Sequence, residues 1–148
     1  MKYVSHGPKE TAIIASDLAT NVMTKMPYSK HAMVLALIGD LGTGKTSFVQ
    51  DFAKALGVNE RLKSPTFMLI RQYAIPKSSL SLWHLDCYRL ESHKDLVHLD
   101  LASVLSDSRN IVLIEWPERA KTIFPRDHIT VRFSHQGGDK RSITIKWS

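Results

Sequence analysis

Apolar residues recur every fourth position from Lys9 to Met26, at Ile14, Leu18, Val22 and Met26, with Ala15, Ala19 and Met23 beside them. That spacing predicts a helix, and Pro27 ends it. The pattern then changes to an unbroken apolar run, Met33-Val34-Leu35-Ala36-Leu37-Ile38, which predicts a buried strand. Ser47 to Leu56 returns to helical spacing, and Gly57 is a natural C-terminal stop. Phe67 to Ile75 and Leu80 to Asp86 read as strands joined through Pro76-Lys77-Ser78-Ser79, a hairpin signal. Ser92 to Leu105 has helical spacing, with Leu96, Leu99 and Val104 facing inward. Ile111-Val112-Leu113-Ile114 is a short run suited to a strand covered on both faces. Ile129, Val131 and Phe133 alternate with polar residues, as do Ile143, Ile145 and Trp147, and Gln136-Gly137-Gly138-Asp139 lies between them. The chain therefore closes with an antiparallel hairpin. Together these elements predict an α/β fold whose sheet has parallel central strands and antiparallel flanking strands.

Composition narrows the class. A chain of 148 residues with 43% hydrophobic and 8% aromatic content fits a single globular domain spanning 1–148. No apolar run approaches the roughly 20 residues needed to span a bilayer. The first residues, Met1 to Pro8, lack the apolar stretch of a signal peptide. With Cys87 as the only cysteine, no internal disulfide forms, in keeping with a cytoplasmic protein and no membrane partner. The formal net charge of +6 permits contact with nucleic acid or an acidic partner, but a protein that grips a triphosphate needs cations in any case.

The chemistry concentrates between the second and third predicted elements. Gly39-Asp40-Leu41-Gly42-Thr43-Gly44-Lys45-Thr46 matches the phosphate-binding pattern G-x-x-x-x-G-K-[ST] in full, and Ser47 opens the helix behind it. Strand, glycine loop, helix is the arrangement this chemistry requires. Glycines let backbone N–H groups curl around a triphosphate, and the helix N-terminus adds a fixed positive partial charge. Lys45 is expected to reach the β- and γ-phosphates of ATP, and the Thr46 hydroxyl to occupy one Mg²⁺ position. The expected fold is therefore the three-layer architecture of phosphate-loop NTPases.

Such a loop needs a carboxylate for the metal or its water, at the end of an apolar strand. Leu82-Trp83-His84-Leu85-Asp86 ends on Asp86, and Ile111 to Glu115 ends on Glu115. Both acids fall at strand C-termini, where open α/β sheets bind ligands. Glu115 follows the purer apolar run and is favoured as the metal-side carboxylate. In Ser64-Pro65-Thr66-Phe67, Pro65 restricts Ser64 to an extended conformation. Thr66 then suits either a switch-loop hydroxyl near the γ-phosphate or metal, or a plain turn before a strand.

Four separated blocks give the chain a specific resemblance. They are the Gly39–Thr46 loop, Ser64-Pro65-Thr66-Phe67, His84-Leu85-Asp86-Cys87-Tyr88-Arg89-Leu90 and Ile114-Glu115-Trp116-Pro117-Glu118-Arg119. In order and spacing they resemble the bacterial TsaE family, the small ATPase that supports threonylcarbamoyladenosine synthesis on tRNA, and the resemblance covers nearly the whole chain. Thr43 stands where that family often has alanine and Cys87 where it often has leucine. The resemblance implies a switch role for Thr66, an essential acid at Asp86 and a Mg²⁺ site completed by Thr46 and Glu115. It also implies that Trp116 neighbours the site. Glu118, a basic residue of the last hairpin (Lys140 or Arg141), and the segment around Thr11 are implied as further ATP contacts. The partners implied are the TsaD and TsaB proteins, with tRNA met indirectly.

Other residues carry less. His84 is read as lying across the strand from Asp86, packing or hydrogen-bonding rather than catalysing. His93, Asp95, His98 and Asp100 match no zinc spacing and read as a solvated helix face. Cys87 reads as a small apolar residue. Arg61, Lys63, Arg71 and Lys77 lack the interleaved aromatics of single-strand binders. The alternative is a small-molecule or nucleotide kinase, for which the short interstrand segments leave little room for an acceptor site. A regulatory GTPase is disfavoured because Asn21, Asn59 and Asn110 do not open an Asn-Lys-x-Asp motif.

Overall fold

In the computed structural model the described residues are 1–40, 42–62, 70–87, 100–118, 125 and 127–148. They form a seven-stranded sheet in the order β1-β7-β6-β2-β5-β4-β3. The strands are β1 (Lys2–Ser5), β2 (Met33–Ile38), β3 (Ile70–Ala74), β4 (Ser81–Asp86), β5 (Asn110–Glu115), β6 (Ile129–His135) and β7 (Arg141–Trp147). β6, β2, β5 and β4 run parallel at the centre, while β3 lies antiparallel on one flank and β7 with β1 on the other. This is the three-layer α/β architecture that the sequence predicts.

The helices are α1 (Pro8–Lys25), α2 (Lys45–Ala55) and α3 (Leu101–Ser106), with a 3₁₀ turn at Met26–Tyr28. α1 buries Ile14, Ala15, Leu18, Ala19 and Val22, the stripe read from its spacing. That stripe joins Phe48 and Phe52 of α2 over the sheet face that carries Leu35, Leu37, Leu82, Ile111 and Leu113. The opposite face carries Val34, Leu85, Val112 and Ile114, and Leu101 and Val104 of α3 cover it. Every residue of β5 is buried, as its unbroken apolar run requires for a central parallel strand. Among the described residues no helix is long and apolar enough to cross a membrane.

Three details differ from the sequence reading. β1 has no counterpart in it; this four-residue edge strand is held by pairing with β7 and by the N-terminal ammonium, which donates to the Ile145 carbonyl at 2.7 Å. α2 begins at Lys45, so Lys45 and Thr46 are themselves helical. The helix expected over Ser92 to Leu105 starts, within the described residues, only at Leu101, because Asp100 takes a left-handed conformation (φ 50°) that interrupts helical continuity. Leu96 and Leu99 lie outside the described residues, as do the first residues of the strand expected from Phe67.

Phe48 of α2 and Phe133 of β6 meet edge to face, with ring centroids 5.1 Å apart and planes at 77°. Both are buried, and the pair locks the start of α2 against the sheet. Phe48→Ala should lower the unfolding free energy by about 3–5 kcal/mol, measured by chemical denaturation.

Candidate functional site

The turn from β2 into α2 depends on one close approach. A Cβ on Gly39 would lie 2.9 Å from the Phe133 carbonyl oxygen and 2.8 Å from the Thr43 hydroxyl oxygen, so only glycine lets the loop lie this tightly against β6. Thr43 is buried and donates its hydroxyl to the Asp40 carbonyl at 2.6 Å, closing the loop on itself. Gly44 takes a left-handed conformation (φ 96°), and α2 starts at the next residue. The first N–H groups of α2 have no carbonyl one turn earlier, so this end of the helix favours an anion. Thr46 and Ser47 are exposed in this first turn, and Asp40 is exposed on the loop. Leu41 lies outside the described residues.

Lys45 points back into the loop rather than out to solvent. It is only 6% exposed, donates from Nζ to the Gly39 carbonyl and stands 3.8 Å over the centre of the Trp116 ring. Burial holds its amine below the usual lysine range, while Glu115, Glu118, Asp86 and Asp40 pull in the opposite direction. Trp116 reaches this position because it adopts a left-handed backbone (φ 57°) immediately after β5. Nothing in the sequence signals such a turn at an aromatic residue.

Glu115 ends β5 and is paired in register with Asp86 at the end of β4. Both acids thus reach the same sheet edge as the loop. Glu115 is 7% exposed, Asp86 is half-buried and Glu118 is exposed. His84 stands 2.6 Å from Glu115, Nε2 to Oε2, with both side chains buried. This corrects its placement across the strand from Asp86: residues two apart share a face, and the bond to Glu115 fixes that face as the one under α2. The strand period was enough to place His84 with Asp86, whereas the contact with Glu115 follows from the pairing of β4 with β5. Cys87 is buried on the other face among Leu85, Ile114 and Leu101, and burial pushes its thiol up to about 12, an inert apolar position.

A second group gathers beside the loop. Thr11, Thr43, Gly44, Ser47 and Arg141 line a cavity of about 100 Å³ between α1, α2 and the last hairpin. The Thr11 and Ser5 hydroxyls are 2.7 Å apart and buried, and Ser5 also donates to the Gly7 carbonyl at 2.8 Å. Ser5 was not anticipated, because it belongs to the unrecognised strand β1. Of the two hairpin cations, Arg141 lies against the loop, its Nε 3.9 Å from where a Gly44 Cβ would sit. Lys140 is exposed on the turn and does not line this cavity.

Thr46 and Glu115 offer hard oxygen donors of the kind Mg²⁺ takes. Among the described residues no three or more His, Cys, Asp or Glu side chains converge as a metal cage. An ion here would take the rest of its shell from phosphate and water, which is the usual Mg²⁺ arrangement at a nucleotide. Thr66 lies outside the described residues, as do Arg89, Arg119, Lys63, His93, Asp95 and His98. Asp100 accepts from the Ser103 hydroxyl at 3.1 Å, and Arg61, Arg71 and Lys77 are exposed.

Gly39→Ala should lower stability by about 1–3 kcal/mol, because the added methyl meets backbone at β6. Gly7→Ala, where an added Cβ meets nothing within 4 Å, should change stability by less than about 0.5 kcal/mol. Thermal and urea unfolding of the two variants checks the difference.

A family model described as "Threonylcarbamoyl adenosine biosynthesis protein TsaE" matches residues 5–143. The tRNA threonylcarbamoyladenosine biosynthesis protein TsaE of Bacillus subtilis is 33% identical over 145 residues, covering 98% of this chain and 84% of its own. Its namesake from Rickettsia bellii is 38% identical over 113 residues, covering 76% of each. The crystal structure of Bacillus subtilis YdiB superposes with a TM-score of 0.73 at 30% identity, covering 98% of this chain and 83% of that one. The chain belongs to the TsaE family.

Proposed function

We propose that this member of the TsaE family is a Mg²⁺-dependent ATPase that serves tRNA threonylcarbamoyladenosine synthesis in the cytoplasm. In this reading it is an accessory of the TsaD and TsaB proteins and not itself the threonylcarbamoyl transferase, and tRNA is met indirectly. The observation that carries it is Lys45, the one buried lysine or arginine among the described residues, set at the start of α2 behind a glycine loop and faced by Asp40, Asp86, Glu115 and Glu118. A cation at a helix N-terminus suits phosphate. The charges of these acids, which act on Lys45, also act on a bare triphosphate and repel it, so this acidic setting calls for a divalent ion alongside the nucleotide.

Each residue then has a defined task. Lys45 exchanges the Gly39 carbonyl for β- and γ-phosphate oxygens, and the first N–H groups of α2 hold the phosphates in place. Gly39, Asp40, Leu41, Gly42, Thr43 and Gly44 form the loop around them, with Ser47 following in the helix. Thr46 and Glu115 hold Mg²⁺, which when bound neutralises charge developing on the transferred phosphoryl oxygens. Asp86, paired beside Glu115, supplies an acid next to the reacting phosphate, and Thr66 supplies a switch hydroxyl. Thr11 and Arg141 border the cavity beside the loop and would meet the nucleotide from that flank. Glu118 contributes to the acidic mouth.

Lys45→Ala should reduce turnover by about 10²-fold or more while the domain still melts cooperatively. Glu115→Gln should retain nucleotide and lose metal-dependent turnover to a similar extent. A fluorescent ATP analogue, phosphate release and a thermal melt read all three quantities. Unchanged affinity and turnover in Lys45→Ala would overturn the reading.

Hydrolysis by the isolated chain should also be slow. Among the described residues Arg141 is the arginine against the loop, and it donates to the Gly138 and Lys140 carbonyls of its own hairpin. An arginine finger supplied by a partner adds about 10³–10⁵-fold in phosphate-loop enzymes, and partner docking can instead order a switch loop. Coupling between two binding sites runs both ways, so ATP should tighten partner binding if partners tighten ATP binding. Phosphate release is therefore measured with and without TsaB and TsaD, together with complex affinity with and without ATP. Full-speed turnover alone, with affinity indifferent to nucleotide, would point to a self-contained enzyme such as a kinase.

A further inference from the structure

Glu115 is the one buried acid among the described residues, and its neighbour His84 is more deeply buried at 3% exposed. Their contact, 2.6 Å from Nε2 to Oε2, is the only hydrogen bond between two buried ionisable side chains in the described structure. His84 lies on β4 opposite Leu113 of β5, and Glu115 lies two residues further along β5 opposite Asp86. The imidazole therefore approaches Glu115 from beneath, on the core side of the sheet edge. Its other ring nitrogen, Nδ1, is buried and has no hydrogen-bond partner among the described residues. The tautomer that carries the proton on Nε2 leaves no N–H stranded: Nε2 donates to the carboxylate and Nδ1 keeps only a lone pair.

A buried carboxylate is costly unless its charge and lone pairs are met. Lys45 meets the charge at a distance, but its amine is committed to the Gly39 carbonyl and the Trp116 face. His84 is the group that binds an oxygen of the Glu115 carboxylate directly, and among the described residues it is the only side chain that does. A carboxylate tied through Oε2 has its rotation fixed and keeps Oε1 as the oxygen available to a metal.

We propose that His84 is a positioning residue: it clamps Oε2 of Glu115 from the core side so that Oε1 is presented to Mg²⁺ or to a water bound to it. This rests on the Mg²⁺–nucleotide reading above. Partners of this kind orient metal-binding carboxylates elsewhere, and removing one typically costs about 10–100-fold in metal affinity. Packing alone does not explain the residue, since a leucine would fill this apolar space without a stranded ring nitrogen.

The test is the Mg²⁺ dependence of binding, read on the full chain with a fluorescent ATP analogue and no turnover. Wild type, His84→Leu, His84→Asn and His84→Gln are titrated with Mg²⁺ at fixed analogue, and binding without Mg²⁺ is measured for each. Glutamine can place an amide N–H near Nε2, whereas asparagine reaches only the Nδ1 position. The expected result is a Mg²⁺ midpoint raised about 10–100-fold in His84→Leu and His84→Asn, with His84→Gln within about threefold of wild type and Mg²⁺-free affinity little changed. If His84→Leu does not fold, the comparison of asparagine with glutamine carries the same information. Equal midpoints in all folded variants, or losses that appear equally without Mg²⁺, would overturn the proposal and leave His84 a packing residue. A wild type indifferent to Mg²⁺ would instead sink the metal-dependent reading itself, a distinct result visible before any variant is made.

Discussion

A lysine amine and a glutamate carboxylate, both over nine-tenths buried, share the C-terminal edge of this sheet, and the fold is arranged to make that tolerable. Neither charge would be stable there alone. Lys45 is met by the Gly39 carbonyl, the Trp116 ring and the field of four acids. Glu115 is met by His84 through one oxygen. These contacts come from β2, α2, β4, β5 and the turn after β5, so each element must keep its register for the charges to stay compensated. A register slip in β4 by one residue would move both His84 and Asp86 to the other face. The continuous apolar cores on both faces of β5 hold that register.

How much of this was legible depended on whether a feature had a period. Met33–Ile38 was read with its observed bounds because six large or apolar residues run unbroken up to Gly39, where the glycine loop begins. α1 was placed to within a residue at each end by its repeat and by Pro27. The closing hairpin followed from alternation in β6 and β7. β1 has too few residues to show a period, and it exists because β7 offers it an edge. Within the described residues α3 begins only at Leu101, because a left-handed Asp100 is a local conformation that hydrophobic spacing does not record.

The site divides along the same line. The loop and the acids at the tips of β4 and β5 were visible as letters in order, while α2 begins two residues before the start read from its spacing. Trp116 was visible only as a neighbour, since its left-handed turn and its place over Lys45 are tertiary facts. Lys140 and Arg141 were not separable by sequence, because which of two adjacent residues turns toward the loop depends on the phase of the β6–β7 hairpin. Thr11 gained meaning from Ser5, a residue with no signal of its own.

The position of Lys45 also constrains how the loop and the end of β5 respond to one another. A left-handed backbone costs a residue such as Trp116 about 1–2 kcal/mol, so something must hold it. The ammonium over its ring contributes about 0.5–2 kcal/mol, increasing as water is excluded. Any ligand that draws Lys45 away removes that contribution while the backbone cost remains. The turn after Glu115 is then less firmly held, and Pro117 and Glu118 follow directly from it. The position of Lys45 and the conformation beyond β5 are therefore coupled through one cation, and the free energy by which Lys45 favours the Trp116 turn equals that by which the turn favours Lys45 in place. Because His84 holds Glu115 from the core side and not through Trp116, the carboxylate can keep its orientation while the turn beside it changes.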